Sequence, residues 1–345
     1  MKHRVVVIPG DGIGPEVTEA VQWILKAARA PVEWEPHQAG VAALESSGEV
    51  LPDTTVEAIT QHRVALKGPC TTPVGGGFVS VNVQLRKKLD LYAAVRPVRS
   101  LAGVETPFRD VDLVIVRENT EGLYSGIENE ITDGVVTSLK VATETGCLRV
   151  ARWAFGYAQR RGLRRVTVFH KANIMKLTDG LFIRCARRVH ENEFASIEYE
   201  EQIIDAACMK LVQDPSQHEV LLCQNFYGDV VSDLCAGLVG GLGVVPGANI
   251  GADCAVFEAV HGSALDIAGQ SLANPLALLM SAVMMLNYLA EERDDEACAQ
   301  VAARVRNAYD AALAAGEKTA DLGGELKTQE FAEAIIARLP VNVEA

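Results

Sequence analysis

GPCTTPVGGGFVSVNVQLRKKLDLYAAVRP, running from Gly68 to Pro97, is the stretch around which the chain is organised. It opens as a glycine-rich loop, with Gly75, Gly76 and Gly77 consecutive after Pro73, so a compact, irregular backbone is expected. Two small polar side chains follow, Ser80 and Asn82, and then LRKKL. Leu85 and Leu89 share one face of the helix expected there, and at the same spacing Arg86 and Asp90 can pair. LDLYAAV has strand composition and delivers Arg96 just before Pro97. Two arginines, a serine, an asparagine and a helix start are all groups that bind carboxylates. The plain alternative, on these residues alone, is a solvated basic helix after a loop.

Composition narrows the choice. A chain of 345 residues suggests about two domains, and 49% hydrophobic with 22% charged residues describes an ordinary soluble protein. The formal net charge of −13 argues against a nucleic-acid binder or a basic membrane-surface protein. An anionic ligand must therefore rely on a local cationic pocket. None of the eight cysteines forms a CxxC pair or has zinc-finger spacing, so they read as reduced thiols. MKHRVVVIPGDG enters a strand at once, with no signal or transit pattern, and a cytoplasmic location is expected. The apolar run from Leu276 to Leu289 is too short to span a bilayer.

Upstream of the central stretch, Arg4 to Ile8 reads as a buried parallel strand. Gly14 and Pro15 then start a helix whose stripe is Val17, Ala20, Val21 and Ile24. This turn fails the dinucleotide fingerprint, because Pro15 stands where the third glycine is needed, so a Rossmann site is not expected. Val64 to Lys67 is the next strand candidate.

Downstream, Val111 to Val116 ends in Arg117, Glu118 and Asn119, polar groups at the end of a strand, where open α/β sheets bind ligands. Tyr124 follows seven residues after Arg117; a lone tyrosine is usually structural. Asp133 to Thr143 alternates and suggests a hairpin arm. Arg165 to His170 is a strand that puts Lys171 at its end, where a lysine among apolar neighbours can serve as a base. Glu198 to Ile204 leads to Asp205 and a helix. In QNFYGDVVSDL, Asp229 and Asp233 fall four apart on one helix face; amid apolar residues they call for a neutralising cation.

GDGIGPEV, LRKKLDLYAAVRP, RENTEGLYSG, HKANIMK, NFYGDVVSDL and VFEAVHGSA, in this order, resemble the β-decarboxylating dehydrogenases that act on isocitrate, homoisocitrate and 3-isopropylmalate. The resemblance implies an α/β, two-domain fold with a large mixed sheet flanked by helices, not a Rossmann fold. The expected division is 1–98 with 253–345, against 99–252 bearing a dimer-clasp arm at about 128–145. It also implies a homodimer with a shared active site, Mg²⁺ or Mn²⁺, and a nicotinamide nucleotide.

Residue by residue, the resemblance places Arg86, Arg96 and Arg117 on the substrate carboxylates. It places Asp229 and Asp233 on the metal with Asp205 of the partner subunit, and makes Tyr124 and the partner's Lys171 the proton-handling groups. Ser80 and Asn82 suit the γ-carboxylate of isocitrate; an isopropyl group would leave them unpaired. Thr72, Glu258, His261, Gly262, Ser263, Ala264, Asp266, Ile267, Asn274 and Asp321 fall to the nucleotide. Asp266 accepts from a ribose 2′-OH and repels a 2′-phosphate, and Ala320 and Gly324 stand where a tyrosine and an arginine would hold that phosphate, so NAD⁺ is expected. Leu265 and Gln224 depart mildly from the pattern. The competing readings are a homoisocitrate dehydrogenase of the same mechanism and a non-catalytic regulatory subunit.

Overall fold

In a computed structural model, residues 2–73 and 77–340 are described; Gly75 and Gly76 of the expected glycine loop lie outside them. A single ten-stranded sheet runs through the molecule. On one flank are the parallel strands β1 (His3–Ile8), β2 (Val32–Pro36) and β3 (Val64–Lys67). The other flank is built by β5 (Asp112–Glu118), β8 (Arg165–His170), β9 (Glu198–Ile203) and β10 (Val220–Cys223), also mutually parallel. Between them lie β4 (Ala93–Arg99), β11 (Pro246–Ile250) and β12 (Ala255–Ala259), giving the order β2-β1-β3-β12-β11-β4-β5-β10-β8-β9. The pairings β12–β11, β11–β4 and β4–β5 are antiparallel, so the two parallel flanks run in opposite directions. The short strand β2 had no counterpart in the sequence reading: VEWEP is too polar and too short to stand out, and only its pairing with β1 defines it.

Helices cover both faces, which is why β1, β3, β5 and β10 are continuous apolar runs and not alternating ones. α1 (Gly14–Ala27) carries Pro15 in its first turn and buries Val17, Ala20, Val21 and Ile24, the expected stripe. α9 (Leu276–Arg293) is apolar nearly all round because it lies in the core under β11 and β12. Among the described residues no helix is long and apolar enough to cross a membrane, and all eight cysteines are free. The hairpin pairs β6 (Glu128–Thr132) with β7 (Val135–Ser138) around Gly134, whose φ is 72°. The expected arm is there, but Asp133 begins its turn and not its first strand.

The Gly10-Asp11-Gly12 turn fails as a nucleotide fingerprint and acts as a knot. The Asp11 carboxylate accepts from the backbone N–H groups of Val41 (2.8 Å), Ala42 (3.3 Å) and Thr71 (2.8 Å). Gly10 has φ +80°, and a Cβ there would stand 2.1 Å from the carbonyl oxygen of Pro69. The loop that opens the central stretch is thereby pinned to the first strand.

A row of polar groups crosses the sheet at its centre. Lys67 and Glu258 are register partners on β3 and β12, their charges 2.8 Å apart and both buried. Burial pushes the Glu258 carboxyl up, but Lys67 and then Arg86 outweigh it and draw it from 4.5 to about 2. A carboxylate so depressed stabilises the fold above its ordinary range and ceases to do so as pH falls through its folded value. Urea unfolding across pH should therefore show stability lost between 4.5 and about 2. Glu258→Gln should be less stable at neutral pH and flatter in that window; an unchanged acid slope would contradict the assignment.

Candidate active site

α4 (Val81–Lys88) begins at Ser80 and lies over the centre of the sheet. Asn82 and Arg86, four apart, share the face that turns inward, where they line a small polar cavity with Arg96, Asn249 and Glu258. Ala94, Gly247 and Ala248 keep this cavity open, since small residues of β4 and β11 stand where larger ones would fill it. The Asn82 side-chain oxygen is buried and lacks a hydrogen-bond partner among the described residues. Ser80, half-exposed, spends no side-chain bond on capping α4. The Arg86–Asp90 pair that the spacing allows does not form. Arg86 turns into the protein and approaches Glu258 at 3.8 Å, while Asp90, past the helix end at φ 46°, pairs outward with Arg149 at 2.6 Å. Helical spacing could not bring them together because the helix stops at Lys88.

Arg96 on β4 and Arg117 on β5 reach the same space. There they meet α8 (Asn225–Val239), which presents Asn225, Asp229, Ser232 and Asp233. Arg117 is almost wholly buried; it donates to Asn225 Oδ1 through Nε at 3.0 Å and Nη2 at 2.7 Å, and its Nη1 pairs with Asp229. Gly228 makes room for it, since a Cβ there would lie 2.6 Å from the Arg117 side chain. Arg96 donates to Ser232 and lies 3.6 Å from Asp229 and 3.4 Å from Asp233. The Tyr124 hydroxyl donates to the other oxygen of Asp229, and the Arg117 guanidinium sits 5.0 Å from the Tyr124 ring centroid. Asp229 is thus the point on which the cluster converges.

The electrostatics show strain among like charges. Burial, with Arg117 adding to it, pulls the Arg86 guanidinium down to about 10, and the same two causes lower Arg96. Asp229 is raised by burial but brought below the usual carboxylate range by Arg117, the Tyr124 hydrogen bond and Arg96. Asp233 moves the other way, raised by burial and by Asp229 beside it. The Tyr124 hydroxyl is raised by burial and by Asp229, so it is a proton donor at neutral pH. Arg86, Arg96 and Arg117, with Lys67 beside them, set four cations against the three carboxylates of Asp229, Asp233 and Glu258, a balance that leaves room for a bound anion.

Lys171, after β8, and Asp205, in the first turn of α7 (Ile204–Gln213), pair with each other at 2.5 Å. They do not join the arginine cluster within this chain. The group of three close metal-donor side chains found among the described residues is His3, Asp295 and Cys298, elsewhere in the fold. There Arg293 lies 3.2 Å from His3 Nδ1, which leaves the ring proton on Nε2 facing Asp295 at 2.6 Å. That arrangement is a clamp between β1 and the start of α10 (Glu296–Ala314). Asp229 and Asp233, hard oxygen donors on one half-exposed helix face, fit a divalent cation far better.

The residues assigned to the nucleotide gather beside the Asp11 knot. Ser263 bonds Thr71 through the hydroxyls at 2.7 Å, and its carbonyl accepts from Ile13 N–H at 2.9 Å. Thr72, Gly262 and Asp266 are exposed around it, with Ala264, at φ 38°, and Ile267 half-exposed. Burial lowers the His261 imidazole, whose Nε2 has no partner among the described residues. Asn274 donates to Asp321 at 3.0 Å. Glu258 stands apart from them, in the polar row with Lys67 and Arg86. At Gly324 a Cβ would fall 1.9 Å from the carbonyl oxygen of Lys318, so this backbone admits no arginine there. An open loop with an unpartnered imidazole nitrogen and no basic residue at 324 fits a nucleotide lacking a 2′-phosphate.

The sequence reading missed Lys67, Asn225, Ser232 and Asn249 as members of the site. Lys67 ends an apolar strand just as Lys171 does, a signal that could have found it. Nothing in the local pattern marks Asn249, which joins through the sheet register.

The isocitrate/isopropylmalate dehydrogenase family model matches residues 4–335. Among similar proteins, isocitrate dehydrogenase (NAD) catalytic subunit 5, mitochondrial, of Arabidopsis thaliana is 50% identical over 335 residues, 96% of this chain and 87% of that protein. Isocitrate dehydrogenase (NAD) subunit alpha, mitochondrial, of Homo sapiens is 48% identical over 341 residues, covering 98% and 90%. The crystal structure of isocitrate dehydrogenase from Methylococcus capsulatus superposes with a TM-score of 0.92 at 46% identity, covering 98% of this chain and 99% of that one. With the arginine cluster, the paired aspartates and the mixed sheet all in place, the chain belongs to the isocitrate/isopropylmalate dehydrogenase family.

Proposed function

We propose that the chain oxidatively decarboxylates isocitrate to 2-oxoglutarate and CO₂ with reduction of NAD⁺. The observation that carries this reading is the gathering of three guanidiniums: Arg86 and Arg96 line one cavity with Asn82, and Arg117 meets Arg96 at Asp229. A tricarboxylate offers enough negative charge for three guanidiniums. Its γ-carboxylate matches Ser80 and Asn82, which an isopropyl group would leave desolvated and unpaired.

Asp229 and Asp233, completed by Asp205 of a second copy, would hold Mg²⁺ or Mn²⁺; the 261–267 loop with Thr72, Asn274 and Asp321 would hold NAD⁺. When bound, the cation supplies Lewis acidity toward the substrate's hydroxyl and carboxylate oxygens, and NAD⁺ accepts the hydride. The chain's own residues do the rest. The three arginines fix the carboxylates. Lys171 of a second copy takes the hydroxyl proton as hydride leaves the carbon that bears the hydroxyl. The bond to the β-carboxylate then breaks, releasing CO₂ and leaving its electron pair on an enolate opposite the guanidiniums. Tyr124, kept protonated by burial and by Asp229, returns a proton to the carbon that has lost CO₂, which restores the ketone.

Sharing between copies is supported by the surroundings of Lys171 and Asp205. Ile174, Leu177, Met209, Val212, Phe226 and Val230 are all exposed apolar residues on the same segment, on α7 or on α8, which packs against it. We read this face and the β6–β7 hairpin as the contact of a homodimer; the relatives' names call them subunits, so a heteromer is the competing arrangement. The division into 1–98 with 253–345 and 99–252 is part of the same proposal. It is supported by the sheet, whose flanks come from those separate stretches and interlock at β11 and β4. The free thiols favour a reducing compartment, which we take as cytoplasmic; the relatives' names place those proteins in mitochondria, whose interior is also reducing, so the thiols do not decide between the two.

Initial rates with Mg²⁺ should be confined mainly to isocitrate with NAD⁺ in a panel crossing isocitrate, homoisocitrate and 3-isopropylmalate with NAD⁺ and NADP⁺. A preference for homoisocitrate would overturn the substrate assignment, and no rate from folded protein would favour a regulatory subunit. Asn82→Leu should cut kcat/KM for isocitrate by about 10- to 100-fold through the unpaired carboxylate. On sedimentation the chain should run at no less than twice its 37.0 kDa mass. Inactive Lys171→Met and Asp229→Asn variants should recover activity when refolded together; no recovery would place the whole site within one copy.

A further inference from the structure

One fully buried carboxylate outside the arginine pocket gathers three separate segments. Asp179, in the first turn of α6 (Thr178–Glu193), has no exposed surface. Its Oδ1 accepts from Lys140 Nζ at 2.5 Å and from Thr178 Oγ1 at 3.3 Å. Its Oδ2 accepts from the backbone N–H of Lys171 at 2.7 Å and from the Tyr227 hydroxyl at 3.1 Å. Lys140 closes the ring, donating to Gln224 Oε1 at 2.6 Å and standing 4.5 Å from the Tyr227 ring centroid. Lys140 lies on the segment returning from the β6–β7 hairpin. Lys171 lies in the β8–α6 connection, and Gln224 and Tyr227 flank the start of α8, where Asn225 begins the row that reaches Asp229.

A buried ion pair is weak support for stability, because desolvation offsets most of its attraction. What a fully bonded pair does supply is direction: each lone pair and each proton has one place to go. Here the directions fix the backbone of the proton-handling lysine against α8 of its own copy, a helix on the face we read as the contact with the second copy, and tie both to the base of the arm. Gln224, where the chain departs from the family pattern, supplies a further acceptor in the ring.

We infer that Asp179, paired with Lys140, is a positioning unit that sets the Lys171 segment in register with α8 and couples that register to the hairpin. The inference rests on Lys171 being the group that takes the substrate's hydroxyl proton. Asp179 acts through the Lys171 N–H, so its effect falls on the chemical step and not on binding, which belongs to the three arginines.

Two double variants of equal charge test this. Asp179→Asn/Lys140→Met keeps an acceptor for the Lys171 N–H, whereas Asp179→Leu/Lys140→Met removes it. Both should unfold near the wild-type Tm. The leucine variant should lose about 100-fold in kcat, the cost of a misplaced reacting group, with KM for isocitrate within about threefold. The asparagine variant should recover most of that loss. Equal kcat in the two variants, or a loss confined to KM, would overturn the inference. Should the leucine variant fail to fold, Tyr227→Phe gives the milder comparison: a fall in kcat of about threefold at constant KM supports it, and no fall refutes it. Lys171→Met separates the two levels. If it is inactive while the double variants match, only the positioning role falls; if it retains full kcat, the reading beneath falls as well.

Discussion

The molecule depends on keeping three guanidiniums buried within reach of one another. Arg86, Arg96 and Arg117 arrive on a helix, a central strand and a flanking strand, so no local feature could assemble them. Each depresses its neighbours or is depressed by burial, and the cost is held down by Asp229, Asp233 and Glu258 placed opposite. The antiparallel centre of the sheet makes this possible. It lets β4 and β11, with their small residues, lie between two parallel flanks and leave a polar row where a uniform sheet would have packed large side chains.

On the proposed reading, that arrangement also lets an acidic protein bind an acidic substrate. At −13 the long-range field opposes approach, and the pocket counters it only at short range, through buried cations screened weakly by solvent. Asp229 belongs to both sides of the balance. It neutralises Arg117 and Arg96, and holds the Tyr124 hydroxyl as a donor. In the proposed mechanism, structural compensation and catalytic placement are the same contact.

Much of this was legible in the chain alone, and the reasons differ by residue. Asp229 and Asp233 announced themselves because two carboxylates on one apolar helix face need an explanation, and the stripe of α1 because period and burial agree. The Arg86–Asp90 pair was misread because spacing assumes a continuing helix, and Asp90 stands beyond its end. β2 was invisible because edge pairing, not composition, makes it a strand. Asn249 and Lys67 join the site through cross-strand register, which no window along the sequence reports. The Asp179–Lys140 pair is long-range as well, its partners 39 positions apart on a helix start and a loop.

The carbonyl of Lys318 closing over Gly324 has a consequence for how the enzyme's cofactor preference is inherited. Where selectivity resides in side chains, point substitutions can walk from one nucleotide to the other. Here the walk begins with a forbidden step, because a basic residue at 324 first requires the 318–324 segment to be rerouted. If position 324 lies beside the ribose as the resemblance implies, the path of the main chain itself works against a phosphate-binding side chain there.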